Sequence, residues 1–127
     1  MKGKSFVTAI NCMDGRVQLP VINCLKREYQ VDYVDMITEP GPNRILAENK
    51  DQNAIESIKN RVKISVEEHG SRLIAVAGHF ACAGNPVEKE TQLLQLAEAM
   101  KTISTWGFGV EVITLWVDKN WEVQQSS

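Results

Sequence analysis

The 127 residues carry 14 Lys and Arg against 16 Asp and Glu, a formal net charge of −2, so no basic excess argues for a nucleic-acid partner. Hydrophobic residues make up 43% and charged residues 24%, the balance of a globular chain with a real core, and no apolar run approaches the roughly 18 residues of a membrane span. Three cysteines, an odd number for a disulfide framework, fit a reduced cytoplasmic protein whose thiolates are free to bind metal, organised as one domain over 1–127.

In chain order, Phe6–Ile10 reads as a strand that delivers Cys12 at its C-terminal end. Thr8 and Asn11 interrupt that stretch behind Lys2 and Lys4, which argues against a signal peptide. Val17–Tyr29 has the spacing of a short helix, with Leu19, Ile22 and Leu25 on its apolar side. Tyr33–Thr38 is a second strand, and Glu39-Pro40-Gly41-Pro42-Asn43 reads as a loop. A long helix is expected from about Asp51 to His69, with Ile55, Ile58, Val62 and Val66 on one face and Gly70 ending it. Leu73–Gly78 is a near-continuous apolar run, the pattern of a central parallel strand covered on both faces. Asn85-Pro86-Val87-Glu88 reads as a helix start, with the helix running to about Ser104. Val110–Val117 is the last strand, followed by a polar tail.

This alternation implies an α/β fold: a mostly parallel four-stranded sheet, order 2-1-3-4, with helices on both faces. Such a sheet reverses its winding between the first and third strands, and ligands bind there, beyond the carboxyl ends. Cys12 ends the first strand and His79 follows the third, so two motifs meet at that point: Cys12-Met13-Asp14-Gly15-Arg16 and His79-Phe80-Ala81-Cys82.

Together the motifs offer two thiols, one imidazole and one carboxylate, a donor set suited to tetrahedral zinc. Cys12, His79 and Cys82 are the candidate ligands. The helix opening near Asn85 is expected to favour a Cys82 thiolate. Two arrangements are open for Asp14. It closes the metal site as a fourth ligand, or Arg16 holds it off the metal in a bidentate ion pair and it orients a metal-activated water. Because two thiolates neutralise the dication, that water should be less acidic than at a site of three imidazoles, and activity should rise on the alkaline side of neutrality. Cys12 and Arg16 are too close to form a Cys-x5-Arg phosphatase loop.

The Cys-x-Asp-x-Arg motif at Cys12/Asp14/Arg16, followed by His-x-x-Cys at His79/Cys82, resembles the β-class carbonic anhydrases in order and separation. The similarity takes in Gly78-His79 and the strand before it, and covers nearly the whole chain at low detail. The resemblance implies zinc held by Cys12, His79 and Cys82, an Asp14–Arg16 dyad, and reversible hydration of carbon dioxide to bicarbonate by zinc-bound hydroxide. It also implies a homodimer or higher homo-oligomer with its sites near the dimer interface. The chain differs from the family pattern at Thr38-Glu39-Pro40-Gly41 and at Ala83, and it lacks a glutamine ahead of the first motif. The alternatives are a zinc hydrolase acting on another small linear substrate, a non-catalytic zinc protein with Asp14 on the metal, and a thiol hydrolase with Cys12 as nucleophile and His79 as base.

Other candidates are read as structural. Cys24 is a core thiol and His69 a helix-end residue. Trp106, Trp116 and Trp121 are core or interface anchors, and Arg44, beside Asn43, is a solvated or ion-paired cation.

Overall fold

The computed structural model describes residues 4–126; the ends of the stretches read above as lacking a signal peptide and as a polar tail, Met1–Gly3 and Ser127, lie outside the described residues. Five strands form one sheet in the order β2-β1-β3-β4-β5. They are β1 (Phe6–Cys12), β2 (Tyr33–Glu39), β3 (Leu73–His79), β4 (Glu111–Val117) and β5 (Val123–Gln125). The first four are parallel in the predicted 2-1-3-4 order. The tail adds the fifth, antiparallel to β4 with Trp116 opposite Gln124. Three mostly polar residues at an edge give no periodic signal, and only pairing with β4 makes them a strand.

Side chains alternate between two cores. Val7, Ala9, Leu73, Ala75, Ala77, Ile113 and Leu115 face α1 (Gln18–Tyr29), which contributes Val21 and Leu25. Ile10, Ile37, Ile74 and Val76 face α2 (Pro42–Glu48), α3 (Gln52–Lys63) and α4 (Lys89–Ser104) through Leu46, Ile55, Ile58, Val62, Leu96 and Ile103. β3, buried along its full length, is the shared centre. No helix among the described residues is long and apolar enough to cross a membrane.

Four local details differ from the sequence reading. The apolar side of α1 is Val21, Cys24 and Leu25, while Leu19 is exposed. The Pro-rich loop after β2 turns at Gly41 (φ 63°) into α2, with Pro42 at its first position, where no amide is needed. α3, capped by Asp51 accepting from the Ala54 amide, ends in a π-helical turn (Ile64–Glu68) that leaves Ser65 buried. α4 starts at Lys89 rather than at Asn85. Asn85 is fully buried and its side-chain amide donates to Gln95 Oε1 at 2.6 Å, so it is not free to cap the helix.

Candidate metal centre

The parallel register puts Cys12 at the end of β1 and His79 at the end of β3, and the turn after β3 brings Cys82 back over both. Phe80 donates its amide to the Val117 carbonyl at 2.9 Å, and Ala81 takes a left-handed conformation (φ 58°), which reverses the chain within three residues. The donor atoms of Cys12, His79 and Cys82 lie within 4.8 Å of one another, and all three side chains are buried. The two sulfurs are 3.8 Å apart.

The imidazole is set for a ligand role. His79 Nδ1 lies 2.8 Å from the Phe80 carbonyl, which can only accept, so the ring proton sits on Nδ1 and Nε2 keeps its lone pair. Nε2 is the one buried side-chain nitrogen or oxygen among the described residues with no hydrogen-bond partner. A buried polar atom without a partner is disfavoured, and two converging thiols beside it make the donor set of a soft divalent metal such as zinc. The residues therefore fit such an ion.

Hydrogen bonding divides the thiols. Donation from Cys82, with the Gly41 and Asp14 amides, draws the Cys12 thiol well below its ordinary value despite burial. Donation to Cys12, burial and the charge on Cys12 push Cys82 up, against weaker help from the Gly84 and Asn85 amides. The sequence reading set the helix opening near Asn85 and expected it to favour a Cys82 thiolate; α4 instead opens seven residues past Cys82, too far for its dipole to act.

Asp14 is not among the converging donors; its carboxylate is held by Arg16. Arg16 Nε donates to Oδ1 at 3.0 Å and Nη2 to Oδ2 at 2.7 Å, a bidentate pair, and the Arg16 amide donates to Oδ1 at 2.9 Å. These bonds keep the Asp14 pKa low, at about 2, so the carboxylate is ionised at any working pH. Gln18 pins the turn by donating to the carbonyls of Cys12 and Asp14 at 2.7 and 2.9 Å. Asn11, read from sequence only as a break in a strand, is buried and accepts from the Cys12 amide at 3.0 Å.

A second set of side chains fixes the His79 backbone. Gln92, buried on α4, accepts from the His79 amide at 3.2 Å and donates to its carbonyl at 2.8 Å. Asn43 donates to Gln92 Oε1 at 3.2 Å. A Cβ on Gly78 would meet those two side chains at 2.7 and 3.0 Å, so only glycine fits the strand there. Asn43 therefore serves His79 from behind, while Arg44 pairs with Glu48 on the surface. Nothing in the sequence pattern separates Gln92 from the solvated polar residues of α4; its Gly78 partner was the available hint.

On the open side, Ala81, Cys82, Ala83, Pro86, Val87, Glu88 and Thr91 line a wide cavity of about 750 Å³. Phe80 and Val87 are exposed apolar side chains of the same segment, and Met13 is exposed in the turn after β1.

A family model described as "Putative carbonic anhydrase" matches residues 2–127. The chain belongs to this family. No curated protein matches it in sequence. Solved carbonic anhydrases of the β class share its fold. Isoform I from the protozoan Trichomonas vaginalis is 13% identical, with a TM-score of 0.64 over 94% of this chain and 81% of its own. Tetrameric β-carbonic anhydrases from the ascomycete Sordaria macrospora are 14% identical, with a TM-score of 0.61 over 97% of this chain and 81% of theirs. The Cys12, His79 and Cys82 group stands at the carboxyl ends of β1 and β3, where the winding of the sheet reverses.

Proposed function

We propose that this chain is a zinc-dependent carbonic anhydrase that hydrates carbon dioxide reversibly to bicarbonate. The observation that carries the reading is the unpartnered Nε2 of His79 beside the Cys12 and Cys82 thiols, with an ion-paired Asp14 next to them. Cys12, His79 and Cys82 would hold zinc, which when bound supplies a Lewis acid that lowers the pKa of water. Arg16 keeps Asp14 ionised and outside the donor group. The Asp14 carboxylate accepts a hydrogen bond from the attacking water and so aims its lone pair at carbon dioxide. Gln18, Gln92 and Asn11 hold the motif backbones in place.

The reading extends to a cytoplasmic homodimer or higher homo-oligomer, with carbon dioxide and bicarbonate as the small-molecule partners. The open cavity, with Val87 in its lining, and the exposed apolar Met13 and Phe80 beside the metal-binding motifs support a second copy closing over the site. Stopped-flow hydration near pH 8.5, at about the pH where a thiolate-rich site should be active, tests the reaction on protein of measured zinc content. Rapid zinc-dependent turnover is expected. One zinc per chain without turnover would discard the reaction and keep the metal site.

A further inference from the structure

Four described non-glycine residues have positive φ: Gln30, Asn49, Ala81 and Trp121. Gln30 and Asn49 are helix C-caps, where a left-handed residue is ordinary. The other two have no such explanation, and both touch Arg16. The Ala81 carbonyl accepts from Arg16 Nη2 at 3.3 Å. The Trp121 ring centroid lies 4.7 Å from the guanidinium carbon. A bulky aromatic residue at φ 60° is unfavourable and persists only when its surroundings impose it.

Asp118 imposes it. Its Oδ1 accepts from the Asn120 and Glu122 amides at 2.9 and 3.0 Å, and its carbonyl accepts from the Trp121 amide at 2.9 Å. The pairing of β5 with β4 closes the turn from the other side. The indole also packs on the core that contains Cys12, Val17 and Cys82. The Arg16 side chain is 52% exposed, and an ion pair that open is weakly fixed by itself. A ring against the guanidinium and a carbonyl at its edge remove that freedom.

We propose that Trp121 is a positioning residue of the site: its indole, with the Ala81 carbonyl, holds Arg16 in the orientation that keeps Asp14 off the metal position. The terminal hairpin is then a working part of the centre. This rests on the reading of the site as a metal centre in which the Asp14–Arg16 pair orients the reactant.

The test loads cobalt(II) into wild type, Trp121→Leu, Trp121→Phe, Arg16→Ala and the Trp121→Leu/Arg16→Ala double variant. Affinity for azide, a small linear anion, is read from visible absorption. Leucine keeps apolar bulk and removes the ring. Trp121→Leu is expected to weaken azide binding about tenfold, as loss of a cation–π contact predicts, because a freed Asp14 competes for the open position. Trp121→Phe should recover most of the affinity, and Trp121→Leu should cost nothing further once Arg16 is alanine. An equal loss with and without Arg16, or a Phe variant no better than Leu, would overturn the proposal. A wild-type NMR measurement needs no variant: the Arg16 Nε–H should be ring-shifted and slow to exchange, and a resonance like that of free arginine would overturn it too. A metal-loaded wild type that fails to hydrate carbon dioxide refutes the assigned reaction and leaves this comparison standing.

Discussion

Two clusters in this fold each set a histidine near an aspartate and differ in what is left over. At the C-terminal ends of the strands, Cys12, His79 and Cys82 converge beside Asp14. Near the middle of β1 and β2, Asp35 and His69 sit with Thr8, Ser65 and Ser71. There Asp35 Oδ2 accepts from Ser65 and meets His69 Nδ1, each at 2.7 Å. Thr8 bonds to Ser65 and Ser71 at 2.6 Å, and Ser71 donates to the Leu73 carbonyl. The hydroxyl chain is closed, and its histidine is half-exposed and stacked on Phe6. At the strand ends, by contrast, a buried imidazole nitrogen has no partner. A satisfied cluster holds a sheet to a helix; an unsatisfied one is shaped for something that is not protein.

The largest effect expected from breaking this contrast is at His79. His79→Ala should lower zinc affinity by more than the roughly 10–100-fold that outer partners of a metal cost, read by competition with a chelator. Retained stoichiometric zinc would remove the distinction between the clusters. Arg16→Ala comes next, lowering hydration by about 10²–10⁴-fold, the range of a positioned acid–base group, with zinc still bound. Loss of zinc together with activity would make Arg16 structural. Gln92→Ala strands the His79 amide and carbonyl in the interior and should destabilise the fold by on the order of 2–4 kcal/mol in urea unfolding. An effect within error would mean that water replaces the glutamine.

The pH dependence sharpens the same comparison. The folded-state pKa of Asp14 is depressed to about 2, so its contribution is fully present above its ordinary value of about 4 and is lost only as pH falls toward 2. Asp14 therefore adds no acid limb to a rate profile at pH 6–9. Activity should rise across that range with deprotonation of the activated water, and a flat profile would count against the two-thiolate site.

How much of this was legible in sequence follows from the kind of signal each part sends. β1, β2, β3 and β4 carry apolar runs, and crossover handedness leaves few orders for them, among which 2-1-3-4 was favoured and is observed. The two motifs needed only chain order to meet. The short α2 was hidden because Pro40, Gly41 and Pro42 punctuate as a loop, although Pro42 suits a first helical turn. Asn85-Pro86 mimicked a cap because sequence cannot show that the Asn85 amide is spent on Gln95. Trp121 was read as an anchor for core or interface; its stack on Arg16 depends on a turn set by Asp118 and on β5, neither of which has a periodic signature.

The smallest expected effect lies in the satisfied cluster. His69→Gln removes an exposed pairing with Asp35 and a ring stack on Phe6, and should cost about 1 kcal/mol or less in urea unfolding. Zinc content and hydration rate should stay within twofold of wild type, well below any change expected at the strand ends. The reason is placement. Asp35 pairs in register with Thr8, four residues upstream of the Cys12–Glu39 pair, so the cluster lies well back from the strand ends. It also packs under the π-helical turn after α3, on the opposite face from α1 and Trp121. If His69→Gln changed metal content or rate, the sheet would be transmitting strain from one cluster to the other, and the separation drawn from the lone Nε2 of His79 would fail.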